Sequence, residues 1–436
     1  MKLKIVFVWV CVNLLLPHNA DSQSLYFPPL SSSQPWDTLS ASSLGWCVNY
    51  VDSLYDFLDQ NNTKGFVLLN DGKIVLEKYF GNFTVDSLWY WASAGKTITA
   101  FLVGKAQEEN FLSITDTTSD YLGTGWTSCS STQEEKITIR NQLTMTSGLD
   151  DGVSDPYCTL SSCLTCLADA GTRWAYHNAP YTLLDGVLSN ATGFTLNNFT
   201  STRLKIKTGM TGLWLQLGYN NVYFSNVRSM ARFGLLAQNN FIWQNDTLLI
   251  DSAFKNQMVN SSQSLNPSYG YLWWLNGKSS YMVPGLQWIF PGWLAPDAPA
   301  DMIAALGKDG QVLSISKSKG LVYARMGDSP TGPVPYTICN DIWKYLNLII
   351  CSPSSSSFNN SPEVFSISPN PAGEFIQIYC NATEDFETVI YDISGRLLQT
   401  DFNSYKVNVS RLQQGVYFLK FSSGQLTSTI RLLINR

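Results

Sequence analysis

The sequence predicts an α+β protein in which an antiparallel sheet, assembled from both ends of a large domain, is flanked by helices and followed by a small all-β domain. Three observations support this prediction: a strand-turn-strand pattern near the start of the chain, three short apolar strands around residue 310, and a helix-rich stretch between them. Strands and helices that are segregated along a chain are typical of α+β folds. We therefore expect a helical insertion lobe beside the sheet, with a cleft between the two.

The large domain begins with a helix and a hairpin. Residues 42–60 have apolar side chains at helical spacing, which predicts a helix. Phe66–Leu69 and Lys73–Lys78 are predicted strands, and the Asn-Asp-Gly sequence at residues 70–72 favours a tight turn between them. These two strands supply one side of the sheet.

The remaining strands come from the other end of the same domain. After a helix-rich, loop-rich region from Lys96 to about Leu275, the sequence predicts three antiparallel strands and a closing helix: Met302–Leu306, Gln311–Ser316, Leu321–Arg325 and Tyr336–Ile350. In such an arrangement the intervening helical lobe packs against the sheet. We therefore expect any site to lie where the lobe meets the sheet.

The N-terminus has the pattern of a signal peptide. Two lysines precede an apolar run over residues 5–16, and small residues follow near position 20. The run is shorter than the roughly 20 apolar residues that span a bilayer, which disfavours the alternative of a membrane anchor. We predict a signal peptide over residues 1–22, no transmembrane segment, and export of the mature chain.

The chain changes composition after residue 351. Residues 352–362 are rich in serine, proline and asparagine, which is typical of a flexible linker. Residues 363–436 alternate apolar and polar side chains, with turn signals at Asn370-Pro371, Ser394-Gly395 and Gln414-Gly415. The sequence therefore predicts a large domain over residues 23–351 and a small β-sandwich over residues 363–436.

Composition limits the partners and the compartment. The formal net charge is −5 and only 14% of the residues are charged, without a basic stripe, so nucleic acid is not an expected partner. Nine cysteines, one of them in the predicted signal peptide, suit an exported protein with disulfides. A zinc site at Cys158, Cys163 and Cys166 is the alternative, but it lacks an obvious fourth ligand. No metal or other cofactor is predicted.

Ser93 and Lys96 are the most informative pair in the chain. Residues i and i+3 of a helix share a face, so a helix that begins near Ser93 places the Lys96 amine beside the serine hydroxyl. A desolvated lysine can take the proton of a serine nucleophile, and helix N-terminal amides favour negative charge there. The alternative is a capping serine with a surface lysine.

Two other kinds of site are disfavoured. The Gly-Lys-Thr sequence at residues 95–97 resembles the end of a phosphate-binding loop, but the glycine required five residues earlier is Tyr90. A Ser-His-Asp triad would have to use His177, because the other histidine, His18, lies in the predicted signal peptide. Lysine and tyrosine are therefore the expected proton carriers.

Further segments accompany this pair in a definite order. Residues 176–178, Tyr-His-Asn, supply a phenol and an amide, and residues 308–311, Lys-Asp-Gly-Gln, supply a second lysine and a glycine that leads into a strand. The series Ser-x-x-Lys, Tyr-x-Asn and Lys-x-Gly resembles the serine β-lactamase and penicillin-binding-protein superfamily, in particular its class C and esterase branch. The similarity extends from about Trp46 to Ile349, with supporting stretches at residues 137–149, 208–210 and 269–274.

The resemblance implies a catalytic role for three residues and the fold of serine β-lactamases and DD-peptidases. Ser93 would attack a carbonyl to form an acyl-enzyme, and Lys96 and Tyr176 would relay its proton to the leaving group. The two lysines, Lys96 and Lys308, would depress the pKa of the Tyr176 phenol. Backbone N–H groups of Ser93 and Gln311 would form the oxyanion hole.

The resemblance also implies a set of substrate-binding residues. Asn178 would orient the substrate amide or ester, and Lys308 would steady Tyr176 and bind a substrate carboxylate. Gly310 and Gln311 complete the segment that enters the strand beside the substrate.

Two residues depart from the family pattern. Asp309 stands where a small or hydroxylated residue is usual, and we expect its carboxylate to pair with Lys308 or to repel an anionic substrate. His177 stands where a serine is common. We expect it to face away from the chemistry, a supporting proton role being the alternative.

The tail has a resemblance of its own. Ser368–Pro371, Val389–Arg396 and Leu412–Phe418 are similar to the C-terminal sorting domain of the type IX secretion system of Bacteroidota. This resemblance implies the secretion machinery as a partner, export through the periplasm, and a secreted or cell-surface location. An adhesive or carbohydrate-binding β-sandwich is the alternative.

The expected function is that of an exported serine hydrolase acting through an acyl-enzyme on small esters or amides. A β-lactamase or D-Ala-D-Ala carboxypeptidase is the alternative enzyme, and a penicillin-binding or sensor module that acylates without turnover is the alternative outside enzymes. If Trp273 and Trp274 line the cleft, they favour apolar acyl or alcohol groups.

Overall fold

The computed structural model describes residues 25–31, 34–328, 335–351, 365–380, 385–392, 396–424 and 426–434. The predicted signal peptide, the predicted linker and the predicted turn at Ser394-Gly395 lie outside these ranges. The chain divides into two compact units, Met1–Pro353 and Ser354–Arg436. Within the described part of the chain, no helix is both long enough and apolar enough to cross a bilayer.

The first unit contains thirteen strands among the residues that the structure describes. Its strands are β1 (Thr63–Asn70), β2 (Lys73–Tyr79), β3 (Trp89–Tyr90), β4 (Leu213–Leu217), β5 (Asn220–Ser225), β6 (Ile242–Trp243), β7 (Asp246–Thr247), β8 (Trp274–Leu275), β9 (Ser280–Tyr281), β10 (Phe290–Pro291), β11 (Ile303–Gly307), β12 (Gln311–Ser316) and β13 (Leu321–Gly327). Six of them form the main sheet in the order β2-β1-β13-β12-β11-β8. Strands from the two ends of the domain therefore pair, as predicted, through β1 and β13.

The first unit also contains α-helices. They are α1 (Val51–Gln60), α2 (Lys96–Glu108), α3 (Ser119–Leu122), α4 (Ser131–Glu134), α5 (Ile139–Leu143), α6 (Asn178–Thr182), α7 (Leu184–Thr192), α8 (Leu196–Thr200), α9 (Ile206–Thr208), α10 (Val227–Gln238), α11 (Ser252–Met258) and α12 (Pro335–Ile350). A π-helical turn, Ser201–Lys205, joins α8 to α9. The predicted helix-rich middle region is confirmed.

The main sheet is covered on both faces. Gly234 of α10 packs against Val322 of β13 and Leu313 of β12, which an added Cβ atom would contact. Tyr323, the residue after Val322 in β13, donates a hydrogen bond to the carbonyl of Cys339 in α12. Successive residues of a strand point to opposite faces, so α10 and α12 lie on opposite sides of the sheet. This arrangement explains why β12 and β13 are buried at every residue.

The first predicted elements are only partly correct. The hairpin is confirmed, and its turn residues Asp71 and Gly72 both have positive φ, as a tight hairpin turn requires. The helix predicted over residues 42–60 is wrong at its start, because Gly45 adopts a left-handed conformation that ends a short 3₁₀ turn. The α-helix α1 begins only at Val51.

Disulfides account for the cysteine clusters. Cys47–Cys351, Cys129–Cys166 and Cys158–Cys163 are bonded, whereas Cys339 and Cys380 are free. The disulfide prediction is confirmed, and the zinc alternative is wrong because each of its cysteines is in a disulfide. In the part of the chain that the structure describes, no three His, Cys, Asp or Glu residues are grouped to hold a metal ion.

The second unit consists of short antiparallel strands. They are β14 (Phe365–Ser368), β15 (Phe375–Cys380), β16 (Phe386–Tyr391), β17 (Leu397–Phe402), β18 (Lys406–Asn408), β19 (Gly415–Ser423) and β20 (Leu426–Ile434). They form two sheets, β14-β15-β18 and β17-β16-β19-β20. One apolar core joins the sheets, with the Phe365 and Phe421 rings stacked 4.5 Å apart between centroids. The predicted small all-β module is therefore present.

Candidate active site

Ser93 lies in a 3₁₀ turn, Ala92–Gly95, directly before α2, and not in the first turn of that α-helix as predicted. The turn is held from both sides, since the Trp91 amide donates to the Tyr223 carbonyl and the Ala94 amide to the Trp91 carbonyl. Ser93 is partly exposed. The turn therefore presents a hydroxyl to solvent from a backbone that neighbouring residues hold in place.

Lys96 is the first residue of α2 and its side chain reaches back to Ser93. The Lys96 Nζ atom donates to Ser93 Oγ at 3.2 Å and to Asn178 Oδ1 at 2.9 Å. Lys96 is only 4% exposed, so the alternative of a surface lysine is wrong. Residues Lys96 to Gly104 of α2 are all buried, which is typical of a core helix.

Burial controls the protonation of Lys96. Desolvation lowers the pKa of Lys96 to about 7, and the nearby Asp185 carboxylate opposes this effect. The amine also lies 4.0 Å from the centroid of the Tyr181 ring and 5.3 Å from that of Tyr176. A lysine with a pKa near neutrality has a substantial neutral fraction, so it can accept a proton at physiological pH.

Tyr176 is packed among aromatic rings. It stacks on Trp274 at 5.8 Å between centroids, and the Tyr269 and Trp174 rings lie at 6.2 and 6.5 Å. Burial raises the pKa of Tyr176, and interaction with the Ser93 side chain only partly opposes this. The expected depression of the Tyr176 pKa is therefore wrong: Lys96 is itself held near neutrality, and Lys308 is exposed to solvent.

The two residues after Tyr176 differ in their surroundings. Asn178 begins α6 and accepts the hydrogen bond from Lys96. His177 is 1% exposed, and neither of its ring nitrogens has a hydrogen-bond partner among the described residues. Burial lowers the pKa of His177 to about 4, against the opposing influence of Asp151 and Asp150, so the imidazole is neutral at physiological pH.

The lysine-glycine segment forms the turn between β11 and β12. Lys308 is exposed and makes no ion pair among the described residues. Asp309 has a φ of 62°, and its carboxylate accepts a hydrogen bond from the Tyr90 hydroxyl at 2.7 Å. The expected pairing of Asp309 with Lys308 is therefore wrong, because Tyr90 from β3 takes the carboxylate.

A buried arginine holds this turn from the inside. Arg325 is fully buried, and its Nη1 atom donates to the carbonyls of Asp309 at 3.0 Å and Gly310 at 2.6 Å. A Cβ atom on Gly310 would lie 2.3 Å from that nitrogen, so only glycine permits the approach. The Gln311 side chain is hydrogen-bonded to the backbone of Gly327 in both directions, which leaves only its main chain for a substrate.

Gly307 brings β11 against the turn that carries Ser93. A Cβ atom on Gly307 would lie 2.3 Å from the Trp91 carbonyl oxygen and 2.9 Å from the Ala94 amide nitrogen. Gly307 itself is opposite Gln311 in the sheet. The structure therefore brings the Ser93 turn and the predicted Lys-Asp-Gly-Gln segment together at one end of β11.

Sequence reasoning missed three residues of this arrangement: Gly307, Arg325 and Asp185. Arg325 and Asp185 each interrupt an apolar pattern, in β13 and in α7, and a charge at a core position is a usable signal. One oxygen of Asp185 accepts from Asn221 at 2.8 Å, whereas the other is buried without a partner among the described residues. Gly307 follows an apolar strand, but its close approach to Trp91 has no sequence signature.

Trp273 and Trp274, which would favour apolar substrate groups if they lined the cleft, are buried. Trp273 and Trp274 are 0% and 5% exposed. Trp273 stacks on Phe233 at 6.0 Å between ring centroids, and Trp274 stacks on Tyr176. The condition for their contact with substrate is therefore not met, and Trp274 packs beneath Tyr176 as part of the core.

Comparison with known proteins assigns a family to each of the two units. Residues 57–336 match the family model described as Beta-lactamase, and residues 366–435 match the one described as Secretion system C-terminal sorting domain. The sorting domain indicates export to the cell surface or the medium. No curated protein is significantly similar to the sequence.

Solved structures share the fold at low identity. A putative 6-aminohexanoate-dimer hydrolase from Bacillus anthracis has 19% identity and a TM-score of 0.55, covering 72% of this chain and 89% of its own. A putative β-lactamase from Bacteroides dorei has 17% identity and a TM-score of 0.57, covering 70% and 100%. EstCE1, a hydrolase with promiscuous acyltransferase activity, has 13% identity and a TM-score of 0.51, covering 70% and 99%. This chain belongs to the β-lactamase family of serine hydrolases and carries a type IX secretion C-terminal sorting domain.

Proposed function

We propose that the protein is an exported serine hydrolase that acts through an acyl-enzyme on small esters or amides. The observation that carries this proposal is the buried Lys96 amine, 3.2 Å from the Ser93 hydroxyl and with its pKa lowered to about 7. A serine hydroxyl is a weak nucleophile until an adjacent base takes its proton. The proximity of the Lys96 amine to Ser93 and its lowered pKa support Lys96 as that base.

Acylation then proceeds with Lys96 as base and Tyr176 as a neutral acid. Ser93 Oγ transfers its proton to the neutral Lys96 amine and forms a bond to the substrate carbonyl carbon, whose oxygen takes the negative charge. The backbone N–H groups of Ser93 and Gln311 stabilise that oxyanion, a contribution of roughly 3 kcal/mol per donor in comparable enzymes. The bond to the leaving group breaks as the leaving atom takes the Tyr176 proton, and Lys96 returns its own proton to the phenolate.

Deacylation repeats these steps with water in place of serine. Water gives a proton to the base as its oxygen attacks the acyl carbon, and Ser93 Oγ leaves with a proton from the same relay. The raised pKa of Tyr176 keeps its phenol protonated at physiological pH and makes its phenolate a strong base, which recovers a proton from Lys96.

Four residues would bind the substrate. The Oδ1 atom of Asn178 is occupied by Lys96, so its amide nitrogen is the group that would donate to a substrate carbonyl. Lys308, at the exposed turn, would meet a substrate carboxylate, and Gly310 and Gln311 would border the reacting carbonyl with their main chains.

A second candidate is a β-lactamase or D-Ala-D-Ala carboxypeptidase. One observation favours it: Lys308 has no ion-pair partner among the described residues, so its ammonium is available to a carboxylate of the substrate. Against it, the Asp309 carboxylate lies on the same turn and repels an anion. A module that acylates without turnover is the third candidate, since some proteins of this family are not catalytic.

Intact-mass spectrometry over time separates these candidates. The purified protein is exposed to p-nitrophenyl acetate and, separately, to benzylpenicillin. The proposed hydrolase gives a transient acetyl adduct with continued release of p-nitrophenol. A benzylpenicillin adduct that forms and decays with turnover supports the second candidate, a lasting adduct supports the third, and the absence of any adduct or turnover refutes the acyl-enzyme proposal.

We further propose the domain boundaries and route predicted from the sequence: a signal peptide over residues 1–22, the hydrolase over 23–351, a linker over 352–362 and the sorting domain over 363–436. The match of residues 366–435 to the sorting-domain family supports the last boundary. The protein would cross the periplasm and then use the type IX machinery.

A further inference from the structure

A strongly apolar surface lies on the segment around the β9–β10 hairpin. Residues 282–296 contain no charged side chain. Four large apolar residues of this segment, which we call the apolar rim, are exposed: Leu286 at 40%, Trp288 at 65%, Ile289 at 65% and Trp293 at 42%. Several exposed large apolar side chains in one short segment indicate a binding surface, because single exposed apolar residues are common on soluble proteins whereas groups of them are rare.

The apolar rim is attached to the candidate active site. The Gln287 side chain donates to the Trp174 carbonyl at 3.2 Å. Trp174 precedes Tyr176 by two residues, a distance of at most about 7 Å along an extended chain. Trp288 and Ile289 follow Gln287 directly, so the exposed side chains belong to the segment that contacts the chain just before Tyr176.

The rest of the hairpin is ordered beneath the rim. Phe290 pairs with Tyr281 across the hairpin, and their rings stack at 5.3 Å between centroids. The ring of Tyr281 also packs against Tyr336 of α12. Because the inward aromatic residues already anchor the segment, the outward ones are available to a ligand.

We propose that the apolar rim binds the acyl chain of the substrate, so that the preferred substrates are esters with medium-length apolar acyl groups. This inference rests on the proposed function and names its substrate class. An uncharged surface suits a neutral acyl chain, and each methylene that is fully removed from water strengthens binding roughly fourfold. Trp273 and Trp274 lie in the core and are not accessible for this role.

The test compares p-nitrophenyl octanoate with p-nitrophenyl acetate, both below the concentration at which the longer ester aggregates. The test variant is Trp288→Ala with Ile289→Ser. The control is Ile250→Ser, because Ile250 is equally exposed, at 66%, but lies away from the apolar rim. Its amide donates to Glu108, the last residue of α2, whereas Lys96 is the first residue of that helix. Thermal unfolding checks that each variant is folded.

We expect the wild-type kcat/KM to be at least tenfold higher for octanoate than for acetate. The double variant should lower this ratio about tenfold through the KM for octanoate and leave the acetate reaction within twofold. Ile250→Ser should change neither reaction. A folded double variant with an unchanged octanoate-to-acetate ratio overturns the inference.

Two further outcomes are distinguishable. If the double variant keeps the ratio but loses sedimentation with phosphatidylcholine vesicles, the rim serves a lipid surface and the inference is refuted. If the wild-type protein hydrolyses neither ester, the proposed function fails, and the inference fails with it. Acetate turnover with no advantage for octanoate leaves the proposed function standing and refutes the inference alone.

Discussion

Replacing Gly307 by alanine should impair catalysis by displacing Ser93. Gly307 has a φ of −132° and a ψ of 153°, which any residue can adopt, so the substitution adds no backbone strain. Its effect comes only from the new Cβ atom, which would lie 2.3 Å from the Trp91 carbonyl oxygen. That oxygen accepts the hydrogen bond that closes the turn around Ser93.

The size of the effect follows from these distances. Cβ atoms in proteins essentially never approach another heavy atom within 3.0 Å, so β11 and the Ser93 turn must separate by at least about 0.7 Å. Misplacing a reacting group by 1 Å can cost about a hundredfold in rate. We therefore expect kcat/KM for p-nitrophenyl acetate to fall roughly 30- to 100-fold, equivalent to about 2 to 3 kcal/mol of transition-state stabilisation.

Gly234→Ala is the matched control. Its Cβ atom would lie 2.5 Å from Val322 and 2.7 Å from Leu313, so the crowding is similar but falls between α10 and the main sheet. We expect it to lower the unfolding temperature and to leave kcat/KM within threefold. A Gly307→Ala protein that is folded and retains kcat/KM within threefold of wild type would refute the proposed link between β11 and the position of Ser93.

Three other variants test separate parts of the proposal. The kcat/KM value should rise with pH as Lys96 becomes neutral. Asp185→Asn removes the carboxylate that raises the pKa of Lys96, so this rise should move to lower pH. A pH profile that does not move, or that moves to higher pH, contradicts this prediction. The wild-type kcat/KM should be at least tenfold higher for short esters than for benzylpenicillin, a difference of about 1.4 kcal/mol in transition-state stabilisation. Asp309→Thr should reduce this difference, because it removes a carboxylate that repels the anionic penicillin. A wild-type preference for benzylpenicillin would favour the β-lactamase candidate. Deleting residues 363–436 should leave ester hydrolysis intact but strand the protein in the periplasm; surface delivery of the truncated protein would argue against sorting.

Local patterns predicted the parts of the site that depend on local geometry. Ser93 and Lys96 are separated by three residues, so their hydrogen bond follows from one turn of backbone. The strand pattern of residues 311–316 predicted β12 to the residue, although both faces of that strand are buried and three of its six residues are polar. The family motifs then placed Tyr176 and Asn178 beside the pair, and Asn178 is in contact with Lys96.

Features that depend on distant residues were not predictable. Two lysines in the motifs predict a lowered pKa for Tyr176, but desolvation beside Trp274 dominates and raises it. The partner of Asp309 is Tyr90, which is 219 residues away in the sequence. The helix predicted over residues 42–60 begins too early, because the apolar spacing does not reveal the left-handed conformation of Gly45.

The most direct test of the central claim is covalent labelling of Ser93. The wild-type protein and Ser93→Ala are treated with a fluorophosphonate probe, digested and examined by peptide mass spectrometry. If Ser93 is the nucleophile activated by Lys96, the wild type carries the probe on the peptide that contains Ser93, and Ser93→Ala is unlabelled and inactive on p-nitrophenyl acetate. Labelling on a different peptide, or undiminished labelling and turnover in Ser93→Ala, would contradict the acyl-enzyme mechanism proposed for this protein.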